Sequence, residues 1–193
     1  MSRLNTHGDY FSPMLYPNDA VGYEVVTKPM MASHKLDGMR CIFKNGEMLS
    51  REFKPIANKQ LNERFAGLKQ VTADEYVIFD GELYSHELTF QDIMHYCRTE
   101  DLGNETLPES IKFYCFDMLE PPHSDAPADE RYKVLKIMKY LPEFKSNVEV
   151  LEQRIVSTPE EVKQMFEEAI NAGFEGLILK DPNSKYKYGR ITT

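Results

Sequence analysis

Lys35 stands two residues before an Asp37-Gly38 pair and five before Arg40, in the stretch HKLDGMR. A lysine attacks only as the neutral amine, so that chemistry needs a pKa lowered by desolvation or by nearby cations. Arg40, Arg51, Lys180 and a bound metal are the candidate cations, while pairing with Asp37 would push the other way. Taken alone, a lysine is ordinarily a solvated surface charge, and Gly38 adds only that a tight turn is permitted there. In FDGEL, Asp80 and Glu82 lie two apart on a strand pattern, so both carboxylates share one face. They repel unless a cation or a sugar hydroxyl sits between them. A magnesium site takes one or two such carboxylates plus substrate phosphates; the plain alternative is an exposed acidic strand end. Glu175 opens EGLILKD with Lys180 five residues on, and SKYKYGR gathers Lys185, Lys187 and Arg190 around Gly189. That last loop reads either as a phosphate grip or as a solvated basic turn.

Several elements must position these groups. RCIFKNGEMLSR reads as a hairpin turning at Asn45-Gly46, the preferred type I′ pair, with Arg40 and Arg51 at its two ends. EYVIFDGELYS, IKFYCFDML and FEGLILKDP read as strands from their aromatic and β-branched content. Helices are expected over 58–68 and 89–97, and in ADERYKVLKIMKYL, which has Asp129 and Glu130 in its first turn. In STPEEVKQMFEEAINAG, Ser157 or Thr158 is the cap, Pro159 takes the first helical position and Gly173 is the stop. EPPHSDAPAD is a proline-rich loop. The expected class is α+β with antiparallel hairpins, not regular βαβ alternation.

A chain of 193 residues can bury one sizeable core. No apolar run approaches the ~20 residues of a membrane span, and the N-terminus lacks a secretory h-region. Cys41, Cys97 and Cys115 show no CxxC spacing, which argues against a zinc ribbon or disulfide framework and fits a reducing cytosol. The net charge of −8 reads, as a sum, against nucleic-acid binding. Its distribution matters more. Segment 28–69 holds nine basic residues against four acidic, whereas 70–130 holds two against fifteen. A basic block can grip phosphates while the whole protein stays acidic.

In this order the motifs resemble the nucleotidyltransferase domain of the ATP-dependent DNA ligases. KLDGMR resembles their lysine-adenylate motif KxDGxR, and SREFKPI the motif that follows it. FDGEL resembles the third, YCFDML the aromatic one after it, and EGLILK with YKYGR the fourth and its basic extension. The resemblance runs from about 28 to 190, with five motifs in order. It implies an ATP-grasp-like nucleotidyltransferase domain of antiparallel sheets flanked by helices, a single adenylation domain over 1–193 without the C-terminal OB-fold. Lys35 would attack the α-phosphorus of ATP, expel pyrophosphate and form lysyl-AMP. Arg40 would contact the ribose and Glu82 a ribose hydroxyl. Phe116 would stack on adenine; its apolar strand neighbours make it equally a core aromatic. Arg51 would bind the phosphate of AMP or of a nicked DNA end, and Lys180 and Arg190 would line the phosphate side. Glu175 would hold Mg2+ or Mn2+, with Asp80 a weaker second ligand. The implied partners are ATP and nicked duplex DNA. A monomer in a bacterial or viral cytoplasm is expected.

One departure is large. The family continues past YKYGR into a strand with two lysines and then the OB-fold domain, whereas this sequence stops at Thr193. The expectation is a fragment that binds ATP, adenylates Lys35 slowly and seals nicks poorly alone. mRNA capping guanylyltransferases share KxDGxR but usually carry Asp-Gly where Glu175-Gly176 stands. RNA ligases and NAD-dependent ligases fit less well. A non-catalytic nucleotide- or nucleic-acid-binding module is the alternative of a different class.

Overall fold

The computed structural model describes residues 14–15, 22, 26–74, 76–121, 125–144, 146–187 and 189–190, the short end strands by backbone alone. Among the described residues there are ten strands and five α-helices: β1 (Met14–Leu15), β2 (Met30–Lys35), β3 (Met39–Lys44), β4 (Glu47–Leu49), α1 (Lys59–Arg64), α2 (Ala66–Val71), β5 (Ile78–Tyr84), α3 (Phe90–Arg98), β6 (Lys112–Leu119), α4 (Ala128–Met138), β7 (Val148–Val150), β8 (Arg154–Val156), α5 (Pro159–Asn171), β9 (Gly176–Lys180) and β10 (Gly189–Arg190). A five-stranded sheet has the order β4-β3-β5-β6-β7, a three-stranded sheet the order β8-β2-β9, and β1 pairs with β10.

Antiparallel pairing dominates, as the hairpins predict, but β6–β7 and β1–β10 run parallel. The β6–β7 exception has a simple cause: α4 lies between them, and a crossover of that length allows a parallel return. The hairpin turns at Asn45 (φ 52°) and Gly46 (φ 72°), the two positive φ values a type I′ turn requires. The single helix expected over 58–68 is two. Phe65 breaks it with φ −104° and ψ 18°, its ring edge-on to Phe43 and Phe113 in the core.

Side-chain caps fix the starts of α1, α3 and α5. The Asn58 oxygen accepts from Leu61 N–H at 2.8 Å while its amide donates to the Tyr96 and Thr99 carbonyls. Thr89 and Asp92 form a capping box on α3. Thr158, rather than Ser157, caps α5 by accepting from Glu161 N–H. Phe43, Phe65, Phe79 and Phe113 centre the main core on the five-stranded sheet, and Ala32, Val156, Val162 and Met165 form a second beneath α5. The three cysteines are buried free thiols. Among the described residues no helix is long and apolar enough to cross a membrane.

The arrangement has one consequence for chemistry. Strand β2 belongs to the small sheet and β3 to the large one, so the chain, which returns from β7 to β8 at 151–153, first passes between them at the turn 36–38. A cleft of about 1000 Å³ opens beside that crossing.

Candidate active site

Lys35 is the last residue of β2, with its ammonium hydrogen-bonded to the Glu175 carboxylate; both side chains remain 45% exposed. Glu175 N–H also donates to the Lys35 carbonyl oxygen at 3.2 Å, where β9 meets β2. Asp37 points to solvent, so the carboxylate partner of Lys35 is Glu175 and not its sequence neighbour. Gly38 is dictated by space. A Cβ there would lie 2.3 Å from the Leu83 carbonyl oxygen and 2.9 Å from Glu82 Cγ.

Across the turn, Arg40 stands opposite Glu82 in the β3–β5 register, with Asp80 two pairs further along, opposite Ile42. Asp80 and Glu82 share a face, as the strand period predicts, and the cation between them is Arg40. Its Nε and Nη2 donate to the two Asp80 oxygens, both at 2.6 Å, and Tyr186 Oη donates to Asp80 Oδ2 at 2.6 Å. Burial favours the neutral guanidine, but the Asp80 charge and hydrogen bonds outweigh it and hold the Arg40 pKa above its ordinary value. At Glu82 burial dominates and pushes the pKa up to about 7, with Arg40 and the hydrogen bond from Gly38 N–H opposing the rise. The Arg40 guanidinium also sits 4.6 Å from the centre of the Phe116 ring, a cation–π contact.

Phe116 reaches the cleft through a β-bulge. Asp117 pairs with Asp80 and Cys115 with Gly81, leaving Phe116 as the extra residue of β6. The Gln153 amide takes up its carbonyl, donating from Nε2 at 2.7 Å. Next along β6, buried Asp117 binds Arg131 through both oxygens at 2.8 and 2.9 Å and Lys180 Nζ at 3.0 Å. Burial would raise the Asp117 pKa; the Lys180 and Arg131 charges and their hydrogen bonds win, and it is lowered. Arg131 also donates to the carbonyls of Ala126 and Ser184, which fastens the segment after β9 against the site.

Lys35, Arg40, Arg51, Glu82, Phe116, Glu175 and Lys180 therefore line one cleft. Arg51 is exposed on its rim, in a turn closed by Ser50 N–H to the Lys54 carbonyl. Asp80 is not on the surface of the cleft. It is fully buried, with both oxygens committed to Arg40, so here it is a counter-ion and has no free oxygen facing a metal. Of the two metal ligands expected, only the Glu175 carboxylate faces open space, and among the described residues no group of three acidic, His or Cys side chains could hold an ion. The Arg190 side chain lies outside the described residues; its backbone pairs with Leu15.

Asp117, Arg131, Tyr186 and Gln153 escaped the sequence reading. A signal for Asp117 was present: an acid inside the apolar run KFYCFDML cannot stay buried without a cation. Arg131, Tyr186 and Gln153 carry no local signal of this kind.

With that geometry in place, comparison with known proteins is direct. The family described as ATP dependent DNA ligase domain matches residues 17–192. DNA ligase 2 of Methanosarcina acetivorans is 31% identical over 170 residues, covering 81% of this chain and 30% of that protein. The crystal structure of Chlorella virus DNA ligase-adenylate superposes with a TM-score of 0.76 at 27% identity, covering 94% of this chain and 64% of that one. The ATP-dependent DNA ligase from bacteriophage T7, in complex with ATP, shares the fold with a TM-score of 0.70 at 21% identity. The chain spans about a third of the length of the curated relatives it matches. It belongs to the ATP-dependent DNA ligase domain family, as the nucleotidyltransferase domain.

Proposed function

We propose that this chain is the adenylation domain of an ATP-dependent DNA ligase, and that Lys35 is its nucleophile. The observation that carries the reading is the position of Lys35. It ends one sheet at the crossing to the other, in the same cleft as Arg40, Glu82, Phe116 and Lys180. The Lys35 amine attacks the α-phosphorus of ATP, an N–P bond forms, and the bond to the β-phosphate oxygen breaks to release pyrophosphate. The proton leaving the ammonium has the Glu175 carboxylate as its bonded acceptor. Transfer of this kind depends on positioning and on cations that meet spread negative charge. Arg51 and Lys180 supply them here.

Arg40 covers one face of Phe116, so the purine takes the other, while Glu82 faces the ribose. A divalent ion would be held by Glu175 together with phosphate oxygens, neutralising their charge. For the whole protein the reading extends to sealing 5′-phosphate/3′-hydroxyl nicks in duplex DNA, as a monomer, with an OB-fold domain completing the catalytic unit. DNA would be gripped through its backbone phosphates.

The test is incubation with magnesium and α-labelled ATP or GTP, followed by a search for acid-labile label on the protein. Label from ATP that is lost in Lys35→Ala supports the assignment. Label from GTP alone would make the chain a guanylyltransferase. ATP bound without any label, even when the OB-fold domain is supplied, would leave only a binding module.

A further inference from the structure

Gln153 lies just after β7, on the wall of the cleft beside Leu151, Phe116 and Ile178. Its amide orientation is settled by chemistry: the Phe116 carbonyl can only accept, so the group 2.7 Å from it is the NH2. The backbone is held as well, since Gln153 N–H donates to Tyr132 Oη at 3.0 Å. The side chain therefore cannot exchange the two ends of its amide without orphaning a bulge carbonyl. Its Oε1 makes no hydrogen bond to any described residue.

We propose that Gln153 selects the nucleobase, presenting a fixed acceptor that pairs with the exocyclic amino group of adenine and opposes the 6-oxo group of guanine. The inference rests on the cleft being the ATP site. Its logic is electrostatic. An acceptor facing an amino group makes one hydrogen bond, whereas an acceptor facing a carbonyl leaves two desolvated lone pairs in opposition. Leu151 and Ile178 are apolar neighbours that offer neither base an alternative partner. Sites that use a committed polar group discriminate more strongly than apolar pockets do. The bulge at Phe116 supplies both halves of the device, a ring presented to the cleft and a carbonyl that locks the reader beside it.

The experiment measures dissociation constants for ATP and GTP, with magnesium, by calorimetry on the 193-residue chain. Gln153→Lys keeps a donor for the Phe116 carbonyl and removes the acceptor. It is expected to reduce the preference for ATP over GTP by about tenfold or more. Gln153→Glu keeps acceptors and removes the donor. It is expected to lower the melting temperature while keeping or widening the preference, and the contrast with Gln153→Lys is what a purely structural glutamine would not produce. A preference in Gln153→Lys within about twofold of wild type, or no preference in wild type, overturns the proposal while the ATP site stands. Failure of wild type to bind either nucleotide overturns the nucleotide reading itself, and this inference with it.

Discussion

Arg40 and Asp80 form a two-pronged ion pair, both bonds 2.6 Å long, with the Asp80 carboxylate fully removed from solvent. Removing one member of such a pair strands the other charge. Asp80→Asn should therefore destabilise the domain by about 3–5 kcal/mol, read as a lower urea midpoint at unchanged m-value. Tyr186→Phe removes one hydrogen bond to the same carboxylate and should cost about 1–3 kcal/mol. Equal losses for the two variants would contradict the assignment of Asp80 as the counter-ion of Arg40.

Glu82 makes the free domain pH-sensitive in the opposite sense to most paired acids. Its folded pKa of about 7 lies above the ordinary 4.5, so between those values the folded state holds a proton that the unfolded state has released. Stability then falls as pH rises through this window and levels off above it. Glu82→Gln should match wild type near pH 4 and exceed it by about 2–3 kcal/mol at pH 8. Thermal melts at the two pH values decide the matter; a constant difference would refute it.

Asp117 has the reverse behaviour. Its folded pKa is depressed, so its contribution is present above the ordinary value of 3.8 and is lost as pH falls through the folded pKa. Asp117→Asn leaves Arg131 and Lys180 facing each other and should cost about 3–5 kcal/mol at pH 7. Lys180→Met leaves Asp117 with its two bonds to Arg131 and should cost about 1–3 kcal/mol. Denaturant curves for both variants test that ranking.

At Gly38 a methyl group would fall 2.3 Å from the Leu83 carbonyl, which belongs to the middle of a sheet and cannot give way. The turn must move instead. Gly38→Ala is expected to lose about 1–3 kcal/mol of stability and to lower the rate of label transfer from ATP to Lys35 at least tenfold, since Lys35 and Arg40 flank the shifted turn. Normal labelling in this variant would show that the spacing across the turn is not critical.

Much of the site was legible because it is written in short local patterns. The Asn45-Gly46 turn carries Arg40 and Arg51, and the period of a strand puts Asp80 and Glu82 on one side. What escaped depends on register between distant strands. That Asp80 serves Arg40 follows from pairing Arg40 with Glu82 across β3 and β5, which neither segment reveals alone. Tyr186 was read within a basic loop, yet it turns inward to Asp80, because the run of lysines around it masks a single buried hydroxyl. Gln153 follows a three-residue strand and acquires meaning only once the bulge at Phe116 is seen. The split of the helix at Phe65 has the same origin: a core ring overrides a continuous helical pattern.

Asp117 belongs to the large sheet and Lys180 to the small one, so their 3.0 Å bond ties the two together in addition to the covalent passages at 36–38 and 151–153. A charge pair that stabilises the core is therefore also a clasp between the two walls of the cleft, so losing it would loosen the site as well as the fold.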